Sequence, residues 1–277
     1  REEGSEELPP PAREEGSEEP SAESSEGEEE AEEVLDGEGV LEGEHDYSVQ
    51  APQAGAQVFS GEWDEEGVYF YQAYKDDIAD WATEHQRFGG PSFNPRRMTW
   101  IKPSFAWVLY RSGYGHKHNQ NRILKVKIPH RALAELLVKC KCKEGGGGSK
   151  GRVQWDPARD LMAGEGRAPR KQLRGRAIQI GLKGSLSELY VASALSIQDV
   201  TALAHRVGLA HASKSRAAME ALLPELPRER PYMPCCTEPV LTRLHLLPPE
   251  APLSGRGGRG GRRPKRFPPP AREEGSE

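Results

Sequence analysis

The sequence predicts an α+β domain with a single mixed sheet, flanking helices and a disordered tail at each end. Three observations lead there. Short alternating or β-branched runs interleave with capped apolar helices, but the strands are too few and too short for a doubly wound parallel sheet. Only the middle of the 277 residues is apolar enough to bury a core. The ends are charged and repetitive: residues 1–46 hold 20 acids against 2 arginines, a net of −18 within a chain total of −5, and carry too little apolar surface to offset the entropy of ordering.

In chain order, Val68–Tyr74 reads as a strand, followed by a helix opened by Asp76 or Asp77 and stopped at Gly89-Gly90. Met98–Ile101 is a short β-rich run. Pro103 fits a first helical position, and Phe105, Trp107 and Val108 begin an apolar helix that ends at Gly113. Ile123–Ile128 alternates Leu124, Val126 and Ile128 with Lys125 and Lys127, one face buried and the other wet. Pro129 starts a helix with Leu133, Leu136 and Leu137 on one side, running to Cys140, and residues 143–150 form a glycine-rich connector. Short strands follow at Val153–Trp155 and Ala177–Leu182. Ser185 and Glu188 have capping-box spacing, a helix from Asp199 to Val207 stops at Gly208, and Ser215–Leu223 is a last helix before Pro224.

This places the folded unit at 58–233, an acidic low-complexity tail at 1–57, and a disordered Pro/Gly/Arg-rich tail at 234–277. Arg-Glu-Glu-Gly-Ser-Glu begins at Arg1, Arg13 and Arg272. Each copy lacks an apolar face on which to stack, so the repeat has no foldable period.

The richest segment is 96–112, Arg-Arg-Met-Thr-Trp-Ile-Lys-Pro-Ser-Phe-Ala-Trp-Val-Leu-Tyr-Arg-Ser, which packs aromatic, basic and hydroxyl groups into one strand-to-helix turn. With Val-Tyr-Phe-Tyr-Gln-Ala-Tyr (68–74), Arg-Ile-Leu-Lys-Val-Lys-Ile (122–128), Val-Gln-Trp-Asp-Pro-Ala-Arg-Asp (153–160), Arg-Ala-Ile-Gln-Ile-Gly-Leu (176–182), Ile-Gln-Asp-Val-Thr-Ala-Leu-Ala (197–204) and Leu-Pro-Arg-Glu-Arg-Pro-Tyr (226–232), it resembles a widespread family known only as a domain of unknown function, number 4291. The resemblance implies a domain without implying an activity. It departs at 140–151, where the family usually carries a longer segment; if that segment closes over the site in relatives, function here would be impaired.

Several chemistries lack their signatures. Neither a phosphate-loop nor a dinucleotide glycine fingerprint is present, and no G-x-S-x-G elbow supports serine hydrolysis. His116-x-His118 and Cys140-x-Cys142 depart from the usual zinc-ligand spacing, so no metal is expected. No run approaches the roughly 18 apolar residues of a membrane helix. Adjacent Cys235-Cys236 and alternate Cys140 and Cys142 are poor disulfide formers, which points to a soluble intracellular protein, cytoplasmic or nuclear.

The strand ends gather polar groups instead. Arg97 and Lys102 are candidates to hold phosphates and Trp100 or Tyr110 to stack a ring, with Gln72, Gln154 and Gln179 as further polar lining and Asp156 as the acid/base candidate. That combination suits a nucleotide or NAD-like ligand. The competing reading makes Trp100, Phe105 and Trp107 ordinary core, Asp156-Pro157 a cap turn, and Arg159 with Asp160 a surface pair. The order of elements is also similar to the layout of ADP-ribosyltransferases, a resemblance that implies NAD, Thr99 or Trp100 as the second-strand group and Gln179 as the late polar residue. The usual first-strand His or Arg and the glutamate are not evident. The alternative is a non-catalytic RNA-associated or scaffold protein, binding RNA weakly through the RGG-like stretch 255–266, whose arginines stack on bases and meet phosphate. Arg262–Arg266 also reads as a nuclear-targeting run.

Overall fold

The computed structural model describes residues 39–48, 53–142, 150–161 and 172–249. Its elements in chain order are β1 (Ser60–Gly61), β2 (Gly67–Tyr74), α1 (Asp76–His85), β3 (Thr99–Ile101), α2 (Phe105–Ser112), β4 (Arg122–Pro129), α3 (His130–Val138) and β5 (Cys140–Cys142). After these come β6 (Gly151–Arg159), β7 (Gln172–Leu182), α4 (Ser185–Ala192), β8 (Ser196–Asp199), α5 (Thr201–Ala212), α6 (Arg216–Leu222), β9 (Arg230–Pro231) and α7 (Glu238–Arg243). The class is α+β, but the strands form three sheets rather than one: β1-β9, β2-β4-β8 and β3-β7-β6-β5. All pairings are antiparallel except β5 with β6. A bridge from Tyr71 to Lys102, with the Tyr71 N–H donating to the Lys102 carbonyl at 2.7 Å, links the three-stranded sheet to the end of β3.

The core follows the period of each element. Val68, Phe70, Leu124, Val126 and Ile128 from the three-stranded sheet join Ile101, Val153, Ile180 and Leu182 from the four-stranded one, with Leu133, Leu136 and Leu137 of α3 completing one cluster. These α3 leucines have no exposed surface, each contributing about 1.5–3 kcal/mol of apolar burial. A second cluster packs Tyr71, Phe105, Val108 and Leu109 against Ala204, Val207 and Met219 of α5 and α6.

Several boundaries differ from the expectation, each for a local reason. α1 ends at His85, where Gln86 turns left-handed with φ 51°. Gly89 and Gly90 instead lie beneath Trp81, whose ring a Cβ would meet at 2.4 and 2.8 Å. Pro103 precedes α2 and its N-cap Ser104 rather than opening the helix. Ser185 and Glu188 make no capping box: Gly184 is the N-cap of α4, and Glu188 reaches across to Arg96 at 3.2 Å. A true side-chain cap occurs at Ser215, which accepts from the Ala218 N–H at 3.1 Å. α5 runs through Gly208, where Tyr114 packs so closely that a Cβ would stand 3.0 Å from its own. The lysine face of β4 is not wet. Lys127 is 7% exposed and ion-paired with Asp64 and Glu66, and Lys125 pairs with Glu62 at 2.8 Å.

The folded chain also extends past 58–233. Residues 39–48, inside the segment assigned to the acidic tail, run beside 233–237: Val40 bridges Cys236, Leu41 N–H donates to Cys235 O at 3.0 Å, and Met233 N–H donates to Tyr47 O at 2.8 Å. The Tyr47 ring stacks on His130 with centroids 3.7 Å apart. Beyond residue 233, α7 buries Val240 and Leu241, and Leu244 follows with no exposed surface. Charge composition hides these few apolar anchors. The repeats, the glycine connector 143–149 and the Arg-rich stretch 255–266 lie outside the described residues.

Candidate functional site

The four-stranded sheet has one apolar and one polar face, and the register says which residues share each. Ile101 pairs with Ile180, and Ile180 with Val153, all three without exposed surface on the inner face. One residue along, every side chain points the other way. On that outer face Trp100 pairs with Gly181 and Gly181 with Arg152; next come Gln179 opposite Gln154, with Lys102 beyond β3; then Asp156 opposite Ala177. Gly181 is required here, since a Cβ would come within 2.7 Å of the Trp100 ring. Pro157 follows Asp156 within β6. Beyond Val153 the described part of β5 no longer pairs with β6, so an imino residue forfeits no ladder bond on that side.

Helix α2 borders the same face. Its apolar positions Phe105, Val108 and Leu109 are buried, while Trp107 and Tyr110 reach the basic groups nearby. Lys102 Nζ lies 4.8 Å from the Trp107 ring centre, Arg111 Cζ lies 5.8 Å from it, and Arg159 Cζ lies 3.7 Å from that of Tyr110. Such stacking holds long cationic side chains in place and lowers the entropy lost when they meet an anion. Gly113, left-handed at φ 58°, ends the helix with its N–H on Leu109 O.

At the end of the polar face away from Trp100, the Asp156 carboxylate is held by one oxygen: Gln154 Nε2 donates to Oδ1 at 2.7 Å. Its other oxygen, Oδ2, is shielded from solvent and receives no hydrogen bond from the described residues. Leaving a shielded acceptor unsatisfied costs about 1–3 kcal/mol, and such atoms mark strain or a functional position.

The structure brings Trp100, Lys102, Gln154, Asp156 and Gln179 onto one face, with Tyr110 at its border. Gln72, Thr99 and Arg97 lie elsewhere. Gln72, 5% exposed, joins the sheets internally: its Nε2 donates to Trp100 O at 3.3 Å and its Oε1 accepts from the Tyr190 hydroxyl at 2.7 Å. Burial pushes the Tyr190 phenol up. Thr99 is on the inner face, its hydroxyl 3.0 Å from that of Ser187. Arg97 is exposed in the loop before β3, where its charge bears on Tyr74, a phenol that burial pushes up. His116 stacks on His205 at 4.7 Å, and the Cys140 thiol donates to Leu136 O. Among the described residues, no three His, Cys, Asp or Glu side chains gather as metal ligands.

Sequence reasoning did not single out Arg152, which register alone places in line with Trp100, or Glu229. The Glu229 carboxylate accepts from the Phe105 N–H at the start of α2. Burial pushes this carboxyl up to about 7 against the pull of the Phe105 N–H and Ser104, with Glu62 adding to the rise. Its one sequence signal is membership of the 226–232 motif.

The family described as Domain of unknown function (DUF4291) matches residues 59–232, from just before β1 to just after β9. The chain belongs to the DUF4291 family. No curated protein matches it. Every residue of the polar face lies inside the DUF4291 match, whereas the 39–48 segment and α7 lie outside it. Among the described residues no helix is long and apolar enough to cross a membrane.

Proposed function

We propose that the polar face of β6-β7-β3 beside α2 binds a nucleotide-like ligand of the NAD class. The observation that carries this reading is Asp156, oriented through Oδ1 by Gln154 and with Oδ2 lacking a hydrogen bond from the described residues. A ligand hydroxyl donating to Oδ2 satisfies the acceptor, and a carboxylate is the group that receives sugar hydroxyls at many dinucleotide sites. Lys102, poised over Trp107, faces the phosphates. Trp100 takes the planar ring, and Gln179, in register with Gln154, offers amide hydrogen bonds between them. Asp156 is then the group placed to take a proton from the bound hydroxyl.

The likeness to ADP-ribosyltransferases narrows in the same direction: Gln179 and Trp100 share the face, and Thr99, turned to the inner face, is left with a structural role. A thermal-shift series with NAD, AMP and ADP-ribose tests the reading. At about 100 times the dissociation constant a ligand adds about 2.7 kcal/mol, and Asp156→Asn is expected to abolish the shift while the protein still melts cooperatively. A normal shift in that variant contradicts the assignment.

A further inference from the structure

Exposed cations gather at one end of the four-stranded sheet, beside Trp100 and away from Asp156. The Lys183 N–H donates to Lys150 O at 2.9 Å and the Gly184 N–H to Arg96 O at 3.4 Å, which ties three chain segments together at this end. Arg152 stands in the row of Gly181 and Trp100. Arg96, Lys150, Arg152 and Lys183 are all exposed, and Glu188 is an acid among them, 3.2 Å from Arg96. Trp100, held against Gly181, is half-buried, so its indole presents a restrained aromatic surface at the border of the charge. Beyond Arg96 an open groove of about 450 Å³ is lined by Arg87, Phe88, Pro95 and Val191, with Glu188 also in its wall.

We propose that this end of the sheet is a binding surface for single-stranded nucleic acid. The phosphodiester chain runs along Arg152, Lys150, Lys183 and Arg96, with one base on Trp100 and the next residues leading toward the Phe88 groove. A row of cations with an aromatic group inside it is the arrangement that tracks an unpaired strand, because phosphates repeat along the cations while any base stacks on the ring. A duplex offers no free base to Trp100. The surface shares only Trp100 with the nucleotide-binding reading, and its cations are different ones.

The test is fluorescence anisotropy of a labelled ten-residue oligouridylate with the full chain, comparing wild type with Lys150→Glu/Lys183→Glu, since Arg152 also lies on the face assigned to the nucleotide. Reversing two phosphate contacts is expected to weaken binding about tenfold or more and to flatten the slope of log affinity against log salt by about 1.4. AMP binding and the melting temperature stay as in wild type. If the reversed variant melts early, Lys150→Gln/Lys183→Gln serves instead, with the same flattening expected. Unchanged oligonucleotide affinity in a folded variant overturns the proposal and moves any binding to the Arg-rich 255–266 stretch. No binding by wild type at low salt overturns it equally, and an intact AMP response in that case leaves the Asp156 site standing.

Discussion

The Glu229 carboxylate accepts the Phe105 backbone N–H at 2.7 Å, so the helix that borders the polar face is capped by a residue 124 positions further along the chain. Glu229 is exposed as a residue, yet its carboxylate turns inward toward Ser104 and Phe105, with Glu62 close enough to oppose its charge. Glu62 in turn accepts from the Tyr71 hydroxyl and pairs with Lys125. Glu229 thus ties the start of α2 to the segment that leads into β9.

A pH dependence follows. A carboxyl raised from 4.5 to about 7 holds its proton more tightly folded than unfolded. Its contribution to stability is complete below pH 4.5 and is lost as pH rises through about 7. Glu229→Gln keeps an acceptor for Phe105 without the charge. We expect it to raise the melting temperature by about 2–4 °C at pH 8 and to change it little at pH 4.5. Equal shifts at both pH values contradict this account of Glu229.

Gln72 is expected to matter for stability rather than for ligand contact. Replacing it with Leu strands the buried Tyr190 hydroxyl and removes the bond to Trp100 O, at about 1–3 kcal/mol. Chemical denaturation should show a lower midpoint with an unchanged slope, and ligand affinity per folded molecule should stay as in wild type. A loss of affinity in the folded variant would return Gln72 to the site.

Gly181→Ala places a Cβ where the Trp100 ring lies, within 2.7 Å. The ring is large and pinned across the strand pair, so it must shift. The expected cost is about 1–3 kcal/mol, accompanied by a change in tryptophan fluorescence. A variant with wild-type stability and spectrum would mean that Trp100 moves freely.

Much of the architecture was legible because it is written in local periods. A run of aromatic and apolar residues marked β2, alternation marked β4, and glycine with an apolar stripe marked α2. The polar half of the site was legible only in part: Lys102 is two from Trp100, but the strand expected at Val153–Trp155 stopped short of Asp156, and only the run of β6 to Arg159 puts Asp156 on the face of Gln154. What escaped depends on contacts between distant segments. Thr99 and Gln72 are polar residues that look available in sequence, yet Ser187 and Tyr190 occupy their hydrogen bonds from α4, about 90 and 120 positions away. Glu229 looks like one charge among several in a proline-rich run. Tyr47 sits in a segment whose net charge predicts a tail, while its ring is stacked on His130. Lys127 looked solvated because the acids that neutralise it, Asp64 and Glu66, precede β2 in a separate turn.

The most direct measurement is isothermal calorimetry of NAD titrated into the full chain and into Asp156→Asn, with both shown to melt cooperatively. The account predicts saturable heat with wild type and none with the variant. Absence of heat from wild type at millimolar NAD, or equal binding by both proteins, would contradict it.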